Sequence, residues 1–381
     1  MKINLFFIFI FFVQYPLLKA NETKIEVHGY LSRGYIKSSK YNYLAENSID
    51  GTSKWGELGI NFAIQAHDRL RIGLQVLARE LGTAGKYDPR VDWAFLDYQL
   101  TNWASIKYGK FFISGGLYNE GRDVDLLRNS ILLPQNVYSE RFRDMALMKG
   151  LELHGTAEIS KNNSIQYSLN KGRSSFEKDS GFISDFSALL PLPSFTANMK
   201  NIISSELIWN TWIQGLRLAI SHTKVDVDVN SPFLPPILFK NTKALKVVSL
   251  EYTKKQWRYT FERFTGHIDL IGLGPTISLF HIKNNYHQIT YRLNEHYELG
   301  FIHAQSYTDE KGKTNIDQYI KDNSFTISNN LSDNWLLKLE YHKVNGIAGL
   351  RPLLNPSGQI NAISNKGKNW DIIMAKITYS F

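Results

Sequence analysis

Between Ser114 and Ala146 charges of both signs crowd together: Glu120, Arg122, Asp123, Asp125 and Arg128, then Arg141, Arg143 and Asp144. Carboxylates and guanidiniums at such close spacing can do one of two things. They can pair with each other, as Arg128 would if Asp123 and Asp125 opened a short helix, and so hold the shape of the segment. Set opposite a wall that carries its own charges, they can instead orient dipolar solutes and sort them by size. The stretch opens on Gly115-Gly116-Leu117-Tyr118-Asn119-Glu120 and contains Leu126, Leu127, Ile131, Leu132 and Leu133. It is too apolar for disorder, and its Leu126 to Leu133 section is expected to pack against that wall.

Covalent chemistry finds less support. His154 shares an alternating face with Glu152 and Glu158, but no spacing singles out a nucleophile and its base, so a hydrogen-bonding role suits this histidine better. Gly272-Leu273-Gly274-Pro275 lacks the following glycine and helix of a nucleotide loop. The chain has no cysteine, which removes disulfides, thiolate metal sites and cysteine nucleophiles together. No enzyme activity, metal or cofactor is expected.

The elements that must position these charges are short segments of alternating apolar and polar residues. Leu58, Ile60, Phe62 and Ile64 alternate with Glu57, Asn61 and Gln65; Leu70, Ile72, Leu74, Val76 and Ala78 alternate with Arg71, Gln75 and Arg79. The segments run 25–38, 54–66, 70–79, 91–100, 105–113, 147–159, 164–171, 202–213, 216–229, 245–253, 257–267, 285–293, 297–307, 323–330, 335–344 and 370–381. Long connections alternate with short turns such as His67-Asp68-Arg69, Lys161-Asn162-Asn163 and Ser332-Asp333-Asn334, and residues 114–146 form the third long one. About sixteen strands with both ends on the short-turn side predict an all-β fold: a transmembrane antiparallel up-and-down β-barrel whose long third loop folds inward. Closure is required, since an open edge in hydrocarbon would leave backbone groups unpaired. A soluble β-sandwich would not need loops that alternate in length.

Residues 1–20 stand apart. Lys2, the apolar run Leu5 to Val13 and the small residue Ala20 form a secretory signal, leaving 21–381 as a single barrel domain. Cleavage would remove Lys2 and Lys19 from a chain of formal charge +9, so the basic balance is modest and gives no case for nucleic acid.

Tryptophan placement fits two interfacial belts: Trp103, Trp212, Trp257 and Trp335 lie beside short turns, Trp55, Trp93 and Trp370 just after long loops, and Trp209 between. If the apolar set of each strand faces lipid, Arg71, Arg79, Arg217, Arg258, Arg292, Lys338 and Lys376 face inward with Glu57, Glu152, Glu158, Glu206, Glu251, Glu262, Glu298 and Glu340. Alternation leaves the directions of Lys107 and Lys110 open. The final strand presents Ile373, Ala375, Ile377, Tyr379 and Phe381 on one face.

A signal segment, about sixteen strands, a terminal aromatic pair Tyr379 and Phe381 and a long third loop together resemble the bacterial outer-membrane porins over essentially the whole mature chain. The Gly115–Glu120 opening is similar, less closely, to solute-specific and phosphate-selective porins. The resemblance implies a water-filled channel in the outer membrane of a Gram-negative bacterium for passive diffusion of small hydrophilic solutes and ions. By position it implies that Glu120, Arg122, Asp123, Asp125 and Arg128 form the pore constriction, facing wall residues Arg71, Arg79 and Lys107. It further implies recognition of Tyr379 and Phe381 by the barrel-assembly machinery, contact with outer-membrane lipid and lipopolysaccharide, and a homotrimer. The alternatives from other classes are a receptor or adhesin displaying loops 173–201 and 230–244, and an outer-membrane hydrolase.

Overall fold

The computed structural model describes residues 24–82, 84–189, 194–272, 277–307, 316–351, 354–355 and 367–381. The expected signal segment 1–20 and most of the 272–275 glycine-rich run lie outside the described residues. Among those described, sixteen strands form one closed antiparallel barrel in which each strand pairs with its sequence neighbours and the last pairs with the first. They are β1 (Lys24–Ser38), β2 (Trp55–His67), β3 (Leu70–Leu81), β4 (Arg90–Thr101), β5 (Ala104–Phe112), β6 (Leu147–Ser160), β7 (Asn163–Ser175) and β8 (Thr196–Asn210). The second half holds β9 (Leu216–Ser231), β10 (Leu234–Lys254), β11 (Trp257–Ile271), β12 (Ile277–Arg292), β13 (Tyr297–Tyr307), β14 (Tyr319–Asn330), β15 (Trp335–Gly346) and β16 (Asn369–Ser380). One helix, α1 (Gly181–Leu189), lies between β7 and β8.

Period-2 alternation does what the sequence requires of it. Along β16, Ile373 and Ile377 are exposed on the outer face, while Lys376 and Thr378 are buried on the inner one. Leu339 points out on β15 and its neighbours Lys338 and Glu340 point in. The barrel therefore has no single apolar centre. Its interior is a polar network, and its apolar clusters gather toward the loop end. Closure is seamless: β1 and β16 pair from Tyr30↔Ser380 to Ser38↔Ile372.

Two local expectations are corrected. The Pro232–Pro236 region is not a long loop, because β9 and β10 run on past it and join through a two-residue turn. Val225, Val227 and Val229 keep a buried face there. Pro235 and Pro236, which cannot donate to a ladder, sit where the β9–β10 register shifts. The segment 230–244 is thus mostly strand and not a displayed loop.

The second correction concerns the tryptophans. Trp103, Trp212, Trp257 and Trp335 are exposed at the short-turn end, as an interfacial belt requires. Trp209 joins them, with its ring against Trp212. Trp55 and Trp370 instead face inward and are fully buried with Ile36, Tyr41, Leu132 and Val344. They sit on the inner phase of their strands; Gly34 leaves room for the Trp55 ring, which a Cβ would meet at 2.5 Å. Trp93 also lies on the inner phase, stacked on Phe95.

Candidate pore constriction

Residues 113–146 leave β5 and return to β6 through a backbone bond from Ile113 N–H to Ala146 O of 2.7 Å. Between them the segment is fastened at several points to inward-facing side chains of the barrel. Gly116, at φ +81°, turns the chain onto the wall; any Cβ there would meet the Tyr138 hydroxyl at 2.4 Å. Leu117 N–H then donates to Glu262 on β11 at 2.9 Å, and the same carboxylate accepts from Ser249 (2.6 Å), Tyr138 (2.5 Å) and Tyr286 (2.7 Å). Four donors hold this buried charge where an ion pair would otherwise be needed. The Tyr118 hydroxyl reaches Glu251 and lies 3.1 Å from that of Thr260.

The loop next reaches β15 and β16. Asp125 opens a single 3-10 turn, Asp125–Leu127, and pairs with Arg128, which is the shape-holding role foreseen for these two residues. Asp125 also accepts from Thr378 (2.6 Å) and from Lys376 (2.9 Å to Oδ2). Lys338 spends its three ammonium protons on loop carbonyls, those of Asp125 and Arg128 at 2.7 Å and Ser130 at 3.0 Å. Ile131 N–H donates to Glu340 at 2.8 Å, and Asn136 donates to the carbonyls of Asn285 and Gln305. Ile131, Leu132 and Leu133 are buried against this wall as expected.

The return leg is pinned to β3 and β4. Arg143 forks onto Asp92 at 2.8 and 2.7 Å and also holds Asp123 at 2.7 Å, while Gln75 donates to both carboxylates. Glu140 bridges Arg79 (2.8 Å) and Arg122 (3.0 Å). The segment therefore touches inward side chains of β3 and β4, of β10 to β12, and of β15 and β16, on widely separated parts of the circumference. Over the loop end, Asp185 of α1 lies between Arg141 and Arg351, with Arg351 Nε at 3.0 Å.

Burial and charge separate the five loop candidates. Arg122 and Asp125 are buried, and Asp123 and Arg128 nearly so, each held in the pairs just described. Burial alone would push the Asp125 carboxyl up, but Lys376, Arg128 and Lys338 hold it well below the usual carboxylate range. Glu140 behaves alike, burial being outweighed by Arg122 and Arg79. Glu120 differs. Its side chain is exposed to solvent, yet surrounding protein desolvates it enough to raise its pKa, with Lys107 and His154 opposing and Glu152 reinforcing.

Among the wall candidates, Lys107 points inward onto Glu152 and lies 5.4 and 5.5 Å from the Phe95 and Phe111 ring centres. Lys110 lies on the opposite phase and donates to Val91 O at 2.9 Å. Arg71 is exposed in register with Asp97, and Arg79 is held by Glu57 and Glu140. His154 hydrogen-bonds Asp97 at 3.0 Å, as a lumen histidine should. Asp92 escaped the sequence reading because the β3–β4 register shifts between Gln75 and Val76, which turns its side chain inward against strict alternation. Leu126 and Leu127 do not pack on the wall. They are 60% and 55% exposed, because the 3-10 turn that buries Asp125 points its next two side chains away.

No protein-family model matches this chain, and no curated protein matches it in sequence. Solved structures match in fold over almost all of it. The outer-membrane expressed OmpT of Vibrio cholerae is 12% identical with a TM-score of 0.58, covering 96% of this chain and 99% of its own. An anion-selective porin from Comamonas acidovorans is 10% identical with a TM-score of 0.57, covering 94% and 100%. OmpF of Salmonella typhi, in a complex with daunomycin, is 11% identical with a TM-score of 0.57, covering 94% and 98%. A trimer form is described for the OmpT protein. At this level of identity the likeness is one of architecture: the chain has the closed sixteen-stranded barrel fold of bacterial outer-membrane porins.

Proposed function

We propose that this protein is an outer-membrane porin, a water-filled channel for passive diffusion of small hydrophilic solutes and ions, narrowed by residues 113–146. The observation that carries the reading is the loop's attachment across the lumen, with Asp125 held by Lys376 of β16 and Asp92 of β4 held by Arg143, while Glu120 is left to water. In this reading Arg122, Asp123, Asp125 and Arg128 are staples, and Glu120 is the loop charge that meets solute. Arg71 and Lys107 are the wall cations beside the passage, and Arg79 is an anchor. The barrel works without catalysis, as a homotrimer in the manner described for the OmpT neighbour. The exposed apolar outer face contacts lipid and lipopolysaccharide, and Tyr379 and Phe381 present the terminal strand to the assembly machinery.

Planar-bilayer recording of the purified, folded barrel tests the reading. Steady ohmic current steps in potassium chloride are expected. Their absence from protein shown to be folded and inserted would favour a receptor or a hydrolase instead.

A further inference from the structure

On the outer wall of β5, β6 and β7, cations stand side by side. Lys110 is directly opposite Lys149 in the ladder, and Lys149 is directly opposite Arg173. The inner phases of the same strands carry the buried Phe111, Met148 and Asn170, so this row points outward, and Lys149 and Arg173 are exposed. Lys171, on β7 opposite Leu151, adds a further cation diagonal to Lys149. Directly opposed side chains have Cβ atoms about 4.5–5.5 Å apart, and like charges at that spacing destabilise a sheet. Among the described residues no ion pair joins Lys149, Lys171 or Arg173 to a carboxylate; Ala94 flanks the row on β4, and Glu177 lies past the end of β7. Other outer-wall cations are placed differently: Lys343 has Asp371 and Asn323 opposite it, and Lys246 has His222 and Thr265. A row of like charges without an acid calls for an anion from outside the chain.

What borders the row narrows the choice of anion. Toward the short turns the same strands present Tyr108, Leu151 and Leu169, all exposed, with Tyr108 directly opposite Leu151. The cations therefore lie at the loop-side edge of an apolar outer face, which in an outer-membrane barrel is the level of the outward-facing leaflet. A free anion would use the cations and leave the apolar surface beside them untouched. An amphiphile uses both, with its charge on the row and its chain on the leucines. Phosphate suits the donors, since the Arg173 guanidinium can fork onto two of its oxygens while the lysines supply point charges.

We propose that the outer face of β5 to β7 is a docking site for one outer-leaflet lipid, a lipopolysaccharide, with a lipid phosphate held by Lys149, Lys171 and Arg173 and an acyl chain lying on Leu151 and Leu169. This deepens the lipid contact of the proposed function, and it rests on the barrel's seat in the outer membrane and not on conduction. Native mass spectrometry of the folded wild-type barrel in a nonionic detergent, titrated with the phosphorylated lipid A portion of lipopolysaccharide, should show saturable binding. Two lost cations should tell: K149Q/R173Q should weaken that binding at least about tenfold, whereas K343Q, whose cation has an acid opposite it, should not. Lipid A stripped of its phosphates should bind no better to the wild type than to K149Q/R173Q, and excess inorganic phosphate should not displace the intact lipid. Equal affinity in wild type and K149Q/R173Q, equal binding of the dephosphorylated lipid, or displacement by inorganic phosphate would overturn the site. Intact and dephosphorylated lipid are compared on the wild type, so that test survives even if the double variant does not fold. Lipid binding without ohmic steps would support the site while contradicting the porin reading, and ohmic steps without lipid binding would do the reverse.

Discussion

Lys376 of β16 and Asp125 of the third loop lie 251 positions apart in sequence, yet the ammonium sits 2.9 Å from Oδ2 and 3.2 Å from Oδ1 of that carboxylate. Both side chains are buried, and Lys376 also holds Glu57 of β2 at 2.8 Å. The pair ties the loop to the seam where the barrel closes. Replacing Asp125 by Asn would leave a buried lysine with one carboxylate fewer. Breaking a buried pair by removing one partner costs about 3–5 kcal/mol. D125N should lower the thermal unfolding midpoint followed by circular dichroism and make single-channel current noisier, whereas D50N, in the first loop, should do neither.

Lys338 offers a sharper variant because its three protons go to backbone carbonyls of the loop. Methionine fills much the same volume and donates nothing. K338M should leave strand content unchanged and raise the proteolysis rate of the 125–130 segment severalfold. An unchanged cleavage rate would mean that the clamp does not hold the loop.

Much of this was legible in the sequence. Period-2 alternation set out the sixteen strands and the inward set of charges, and the 123–128 spacing foretold the Asp125–Arg128 pair. What escaped has local physical causes. The register shift opposite Asp92 reversed one residue against its strand, and a strand long enough to pass Pro235 and Pro236 cannot be told by periodicity from a Pro-rich loop. Trp55 and Trp370 lie at the starts of their strands, as expected, but position along a strand does not say which face a residue occupies. Pairings such as Tyr138 with Glu262 join residues 124 positions apart, and only the closed barrel brings them together.

The charges of the loop should titrate in two stages. Asp125 and Glu140 have folded pKa values below the ordinary range, so their stabilisation is full above the unfolded pKa and is lost only as pH falls through the depressed folded one. Burial raises the pKa of Glu120, and those of Asp123 and Asp144 with it, so these three lose their charge before Asp125 and Glu140. Facing it are Lys107, His154, Glu152 and Glu206. As pH falls from 7 toward 4, reversal potential in a potassium chloride gradient should shift away from cation preference while conductance stays near its neutral value. In E120Q the part of the shift due to Glu120 should vanish.

The four-donor cage around Glu262 predicts a stability effect separate from the ion pairs. Y138F removes the 2.5 Å donor and keeps the ring. A buried acceptor that loses a partner costs about 1–3 kcal/mol. The unfolding midpoint in guanidinium should fall accordingly; Y286F, which removes the 2.7 Å donor to the same oxygen, should act alike. The double variant should depart from additivity, because both hydroxyls serve one carboxylate oxygen.

The central claim is that residues 113–146 narrow the passage, and single-channel conductance tests it most directly. A variant in which residues 117–138 are replaced by a short Gly-Ser linker, confirmed as a folded barrel by circular dichroism, should conduct at least about twice the wild-type current in potassium chloride. Conductance equal to the wild type would contradict a constriction built from this loop.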